Sequence, residues 1–399
     1  MTPHAAPPLR DRLAPLRGKR VFLTGHTGFK GSWLALWLAD LGAEVTGYSL
    51  DPPSDPSNFA VSRVREVLHA HHHGDIRDAD ALTQAMRAAR PDLVLHLAAQ
   101  SVVGEGYRNP RATFDVNVMG TIGVLEAVRA LDAPCAVICV TSDKCYENVE
   151  QVWGYRECDA MGEHDPYGGS KGAAELAIRS WRHSFFPPTG DGEASHGVRL
   201  ASARAGNVIG GGDWKRDALI VDVVKAIAAG RRVELRSPGA TRPWQHVLQA
   251  LSGYLVLAAR LLADDDPRLQ SGWNFGPVPG NELPVRDVVE IFQEAWGVPR
   301  GWSDASGGHH PREAHILRLS IDKALWQLDW RPGWDVREVL ARTAEWYRRY
   351  FEGDTDMQAL TLDQIHAYER GFDGQEEAPR LVPDLAAHPS SEPIGVPDE

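Results

Sequence analysis

One stretch constrains this chain more than any other: Thr24-Gly25-His26-Thr27-Gly28-Phe29-Lys30-Gly31. It follows the apolar run Val21-Phe22-Leu23 and opens onto Ser32-Trp33-Leu34-Ala35-Leu36-Trp37-Leu38, so it reads as strand, glycine turn, helix. Three glycines spaced in this way have separate jobs: a tight bend at Gly25, close backbone approach to a pyrophosphate at Gly28, and helix-on-strand packing at Gly31. Thr27, Phe29 and Lys30 belong to the same turn, and the helix start presents free N–H groups to an anion.

About twenty residues on, after a second strand-like run through Val45 and Tyr48, the chain places Asp51. An acid at that point holds a ribose 2′-hydroxyl and favours NAD over NADP as cofactor. Strand and helix signals then alternate through 93–98, 117–131, 136–140, 166–185 and 199–205. Such alternation predicts an α/β fold, a Rossmann-type doubly wound parallel sheet with a smaller, interleaved C-terminal substrate-binding region. The expected boundaries are a disordered lead over 1–17, the NAD-binding domain over 18–206 with its last strand contributed by about 240–276, a nucleotide-sugar-binding region over 207–350, and a disordered tail over 372–399.

With 42 Lys and Arg against 54 Asp and Glu, the formal charge is −12, which disfavours nucleic acid as a partner. No apolar run approaches the 18 or so residues of a spanning helix, and residues 1–19 lack a hydrophobic signal core, so no membrane association and a cytoplasmic location are expected. Cys135, Cys139, Cys145 and Cys158 contain no Cys-x-x-Cys pair and suggest neither zinc nor a disulfide framework. His69, His71, His72 and His73 run into Gly74-Asp75-Ile76 and read as a strand rather than a metal site, so no metal is expected.

Three further strings fall where this fold builds its active site, at the carboxyl ends of strands: Thr141-Ser142-Asp143-Lys144, Tyr167-Gly168-Gly169-Ser170-Lys171 and Arg204-Ala205-Gly206-Asn207. Tyr167 and Lys171 are four apart on a predicted helix and share a face. A cation beside a phenol lowers its pKa, so that it can take a proton from a substrate hydroxyl as hydride leaves the carbon.

On these strings, together with Arg204-Ala205-Gly206-Asn207-Val208-Ile209-Gly210-Gly211-Gly212-Asp213-Trp214 and Arg242-Pro243-Trp244-Gln245-His246-Val247, the chain resembles the extended short-chain dehydrogenases/reductases. Within them it is similar to the NAD-dependent CDP-glucose 4,6-dehydratases, from about Gly18 to about Trp346. The resemblance implies oxidation at C4 of a nucleotide sugar, loss of water across C5 and C6, and hydride return to C6. It implies that Ser142, Tyr167 and Lys171 act at C4, and that Asp143 acts as acid in the elimination. Lys144 stands where many relatives carry a glutamate, as a base or as a cation stabilising the enolate.

It further implies that Asp75 and Ile76 lie against the adenine, that Ala98, Ala99 and Gln100 lie beside the pyrophosphate and ribose, and that Asn117 props the active-site backbone or caps a helix. Tyr107, Ser142, Asn207, Arg242 and His315 are the substrate candidates. One departure concerns the loop after Gln100, where Gly104 and Gly106 replace the family's Arg and Ser. The resemblance also implies a homo-oligomer and a pathway to deoxysugars of surface polysaccharide. The rivals are a 4-epimerase, a dehydratase for another nucleotide sugar, and a non-catalytic NAD-sensing protein.

Overall fold

The computed structural model describes residues 7–188, 197–216, 218–278, 280, 282–306 and 317–373. Its centre is a parallel sheet of seven strands: β1 (Arg20–Thr24), β2 (Glu44–Ser49), β3 (Ala70–His73), β4 (Leu93–His96), β5 (Cys135–Val140), β6 (Val198–Arg204) and β7 (Gly272–Asn274). Their spatial order is β7-β6-β5-β4-β1-β2-β3, so the sheet is wound outward in both directions from β1 and β4. The register Val21↔Leu93 to Thr24↔His96 brings the ends of these two strands level and opens a crevice between the loops that follow them.

Successive strand side chains point to opposite faces, and each face is apolar because each is covered. Val21, Leu23, Leu93, Leu95, Ala136 and Ile138 pack with helix α2 (Phe29–Asp40) and the later helix Val247–Ala263. Phe22, Val94, Cys135, Val137 and Cys139 face the other way, against α3 (Ala79–Ala89), α5 (Gly120–Arg129) and α6 (Pro166–Ser184), with α4 (Val103–Arg108) between them in the chain. Burial pushes the Cys135 and Cys139 thiols up to about 12, as befits packed apolar groups.

Beyond β6 the chain alternates between two tasks. Val247–Ala263 and β7 complete the layered core, while the two-stranded pairs 208–209 with 245–246, 241–243 with 282–284, and 233–235 with 302–304 build a smaller region beside it. The described chain closes with the helices Val336–Phe351 and Met357–Asp373.

The lead differs from expectation. Its described part is folded: α1 (Leu9–Arg12) and a 3-10 turn over Ala14–Leu16 bury Leu9, Leu13 and Leu16 completely. The Pro, Ala and Arg content suggested a loose segment, but the leucine spacing of four and three gives one apolar stripe. That stripe is pinned by Arg10 to Asp40 at 2.8 Å and by the Leu9 N–H to Asp373 at 2.6 Å. The tail expected over 372–399 starts two residues early, since Phe372 and Asp373 close the helix Met357–Asp373; its remainder from 374 onward, and His315, lie outside the described residues.

Candidate active site

The glycine turn shows three different uses of a missing side chain. Gly25 has φ +77°, and a Cβ there would lie 2.7 Å from the Ala98 nitrogen. A Cβ at Gly31 would lie 2.1 Å from the Gly25 carbonyl, so the helix can sit this close to the turn only as glycine. At Gly28, by contrast, the only atom of the described residues that a Cβ would meet within 4 Å is the Gly25 carbonyl at 3.3 Å. The fold leaves room there for something other than protein, and Gly28 caps α2 with no side chain on its first N–H groups. That is a cradle of the right chemistry for a dinucleotide pyrophosphate.

Around it, the expected cofactor residues fall into place unevenly. Thr27 spends its hydroxyl on Ser49 at 2.7 Å and the Leu50 carbonyl at 2.9 Å, tying the turn to β2. Asp51 follows β2 with an 88% exposed side chain, 3.5 Å from His73. Asp75 is forked by Arg77, which holds its carboxyl below the usual range. Ile76 is a core residue, its Cδ1 filling the space beside Gly120. The Ala98 N–H donates to Thr24, which fixes the start of the loop after β4.

That loop is held from below by Asn117, in a π-helical turn over Asp115–Met119. Its carbonyl oxygen accepts from the Gln100 N–H at 2.9 Å, while its amide donates to the Gln100 carbonyl at 3.0 Å and to Ser170 at 2.9 Å. One buried side chain thereby ties the β4 loop to the helix of Tyr167. Helix capping, the simpler expectation for Asn117, is not what it does.

At the end of β5, Ser142 donates to the Asp143 carboxylate at 2.9 Å and hydrogen-bonds Tyr167. All three are almost closed off from solvent. α6 reaches them because its first turns are small: a Cβ at Gly168 would meet the Lys144 carbonyl at 2.7 Å, and one at Gly172 the Cys145 carbonyl at 3.0 Å. Asp165 starts the helix by accepting from the Tyr167 and Gly168 N–H groups. The Asp143 carboxylate is pressed over Gly206, where a Cβ would lie 1.7 Å from Oδ2.

The electrostatics correct one expectation. Burial raises the Tyr167 phenol well above its ordinary value; the Ser142 hydrogen bond opposes this, and the Asp143 and Asp165 carboxylates add to it. Lys171 is itself pushed down to about 8 by burial. Desolvation of both groups outweighs the lowering of the phenol that the spacing suggested. Lys144 sets its ammonium 3.5 Å from Asp165, the carboxylate that caps α6, with its own side chain 36% exposed.

A family model described as GDP-mannose 4,6 dehydratase matches residues 22–265. The CDP-glucose 4,6-dehydratase of Salmonella typhimurium is 46% identical over 352 residues, covering 88% of this chain and 96% of that one. The chain belongs to the GDP-mannose 4,6 dehydratase family, within the extended short-chain dehydrogenases/reductases. Solved structures carry the fold further: the dTDP-glucose 4,6-dehydratase of Streptomyces venezuelae, with NAD and TYD bound, aligns with TM-score 0.69 at 24% identity over 83% of this chain and 97% of that one. An epimerase of Methanothermobacter thermautotrophicus aligns with TM-score 0.70 at 25% identity, over 86% of this chain and 96% of that one.

In this family member the described substrate candidates stand on three separate elements. Asn207 leaves β6 in the left-handed region at φ +49°, and its carbonyl accepts from the Gln245 N–H. Arg242 stands on the strand Thr241–Pro243, opposite Leu283. Tyr107 projects from α4 with 57% of its surface exposed. Gly106, one of the two departures, lies against α6: a Cβ there would be 3.1 Å from the Tyr167 nitrogen.

Sequence reasoning missed the layer beneath. Glu175 accepts from Thr141, Ser202 and both forks of Arg204, and Arg204 donates on to Tyr146 at 2.6 Å. Glu175 is one turn beyond Lys171 on the same face, the one signal that could have found it. Arg204 lay inside a string noted for other reasons. A second chain of contacts, Thr24 to His96 at 2.8 Å and His96 to Thr121 at 3.1 Å, runs behind the crevice and carried no sequence signal.

Proposed function

We propose that this chain is a CDP-glucose 4,6-dehydratase, converting CDP-D-glucose to CDP-4-dehydro-6-deoxy-D-glucose and water. The observation that carries this reading is the 46% identity, over nearly the full length of both chains, to a dehydratase of that name. The buried Ser142, Asp143, Tyr167 and Lys171 agree with the chemistry. Gly25, Gly28 and Gly31, with the uncapped start of α2, would hold NAD by its pyrophosphate, and Asp51 would hold its adenosine ribose. NAD, when bound, accepts hydride from C4 and returns it at C6.

The chain's own part is proton handling and orientation. Ser142 holds the C4 hydroxyl against Tyr167, whose oxygen takes the proton. Lys171 stabilises the phenolate that begins this step. With a ketone at C4 the C5–H bond becomes acidic, and Asp143 stands at the adjoining strand end to protonate the departing 6-hydroxyl. Asn207, Arg242, His315 and Tyr107 are the groups for the nucleotide diphosphate and sugar, a guanidinium suiting paired phosphate oxygens.

The enzyme works in the cytoplasm as a homo-oligomer and supplies a deoxysugar for lipopolysaccharide O-antigen. Its four cysteines are free, which suits a reducing compartment. Among the described residues, no helix is long and apolar enough to cross a membrane. Phe114, lying over Gly169, and Leu176, two turns further along that helix face, are exposed by 40% and 56% and offer an apolar patch to a second copy.

The test is to incubate the purified protein separately with CDP-, dTDP- and UDP-glucose and look for the alkali-absorbing 4-keto-6-deoxy product. Conversion of CDP-glucose alone is expected. Conversion of another nucleotide sugar in its place, or 4-epimerisation without loss of water, would overturn the reading.

A further inference from the structure

The face of α6 that carries Tyr167 and Lys171 continues to Glu175, each one turn beyond the last. β5 is joined to that face at two heights. Cys135, Val137 and Cys139 point toward α6, and the period of two brings Thr141 to the same side just beyond the strand. There the Thr141 hydroxyl donates to Glu175 Oε1 at 2.5 Å, while the neighbouring Ser142 hydrogen-bonds Tyr167 two turns away along the helix. Thr141 also bonds β6 through its backbone, its N–H donating to the Ala203 carbonyl at 2.9 Å.

The two links differ in kind. The contact between Ser142 and Tyr167 opens to admit the C4 hydroxyl in every turnover, so it cannot by itself hold strand against helix. Glu175 has no such duty. Arg204 grips it at two points, Nη2 to Oε2 at 2.7 Å and Nε to Oε1 at 2.9 Å, and the Ser202 hydroxyl donates to Oε2 at 2.8 Å. Burial opposes the charge, and Arg204, Thr141 and Ser202 together outweigh it, holding the carboxyl down at about 2. The carboxylate stays ionised and stationary, and a hydroxyl that donates to an ionised acceptor makes the stronger kind of hydrogen bond.

Resting on the dehydratase reading, we infer that Thr141 is a positioning residue for oxidation at C4. Anchored on Glu175, it fixes the height of the strand end, and so the distance from Ser142 to Tyr167 when that pair opens to take the substrate hydroxyl. Ser202 provides the comparison. It bonds the same carboxylate, but it lies inside the sheet, paired with Cys139 on one side and Gly272 on the other, so its backbone needs no further anchor.

Thr141→Val, Thr141→Ser and Ser202→Ala are compared with the wild-type protein. Valine keeps the shape of threonine and loses the donor. Urea midpoint, cofactor content, affinity for CDP, KM, and the stopped-flow rate at which CDP-glucose reduces the cofactor are read in each. Thr141→Val and Ser202→Ala each remove one neutral donor from the same acceptor, so small and similar falls in urea midpoint are expected. Their rates diverge. Thr141→Val slows C4 oxidation by about 10–10²-fold, the cost of misplacing reacting groups, with cofactor content, CDP affinity and KM unchanged. Ser202→Ala oxidises C4 at the wild-type rate, and Thr141→Ser restores it.

Oxidation at the wild-type rate in Thr141→Val would overturn the inference. So would equal slowing in Ser202→Ala, which would make the setting of the carboxylate the cause, and so would a slow Thr141→Ser. Loss of cofactor or of CDP affinity together with the rate would make Thr141 a part of the fold only. Thr141→Cys, a poor donor in the same place, repeats the test should Thr141→Val not fold. A wild-type protein inert toward CDP-glucose would instead remove the dehydratase reading, and this inference with it.

Discussion

Glu175 and Arg204 meet as a two-point buried ion pair, Oε2 to Nη2 at 2.7 Å and Oε1 to Nε at 2.9 Å. Their side chains are 4% and 5% exposed. The pair fastens the helix of Tyr167 and Lys171 to β6, and Thr141 joins the end of β5 to the same carboxylate. Removing one partner leaves a buried charge uncompensated. Glu175→Leu is expected to cost about 3–5 kcal/mol, seen as a lower urea midpoint. Glu175→Leu with Arg204→Met recovers most of that loss; if the double variant is no better than the single, the pair is not the source of the effect.

Stability falls on acidification, with histidines leading. His26, His96 and His246 are buried and each lowered to about 3 by desolvation. Unfolded, they take a proton below a pH of about 6.5. The folded state does not, so the stability present above that pH is lost progressively toward about 3. Each histidine contributes up to about 1.4 kcal/mol per pH unit, and the three together about 4. Glu175, held down at about 2, adds a loss in the same direction that begins only below the ordinary carboxylate range. Urea unfolding at pH 6.5, 6.0, 5.5 and 5.0 checks this; unchanged stability across that range would contradict it.

The glycines of the turn separate into fold and ligand. Gly31→Ala sets a Cβ against the Gly25 carbonyl and is expected to unseat the turn, lowering both melting temperature and NAD affinity. Gly28→Val crowds only the cradle, so the melting temperature of cofactor-free protein changes by a few degrees at most while NAD binding drops by tenfold or more, about 1.4 kcal/mol. Calorimetry of both variants decides it, and equal NAD affinity in wild type and Gly28→Val is the contrary result.

Gly106→Val pushes α4 away from the Tyr167 backbone, where a Cβ already has only 3.1 Å. A displacement of a few tenths of an ångström at a proton-transferring oxygen lowers the C4 oxidation rate about tenfold or more. NAD retention is expected to be unaffected. Stopped-flow absorbance of reduced cofactor reads the first, and cofactor content of the purified protein the second.

Much of this architecture was legible because the signals are local. Gly25, Gly28 and Gly31 announce a turn whose geometry each of them separately requires, and alternating faces such as Val21, Phe22 and Leu23 announce strands covered on both sides. Tyr167 and Lys171 were readable from their helical spacing. What could not be read depends on contacts between distant segments. Arg204 meets Glu175 only because β6 runs beside β5 under α6. The 1–17 lead was misjudged by composition although Leu9, Leu13 and Leu16 already carried a helical stripe. The lowering of the Tyr167 phenol was misjudged because spacing reports neighbours and not the water they displace.

The contact of α1 with the helix Met357–Asp373 has a consequence for how the chain could be rewired. Leu9 and Asp373 are hydrogen-bonded, so the two ends of the described chain are neighbours. A short bridge from the end of that helix to Pro7 would make the backbone a closed ring, and the ring could be opened afresh at Gly230, a turn glycine at φ +61° where a Cβ would meet no atom of the described residues within 4 Å. In such a permuted gene the ribosome would deliver the remaining strands of the smaller region first and the nucleotide-binding turn midway, with every native contact still available.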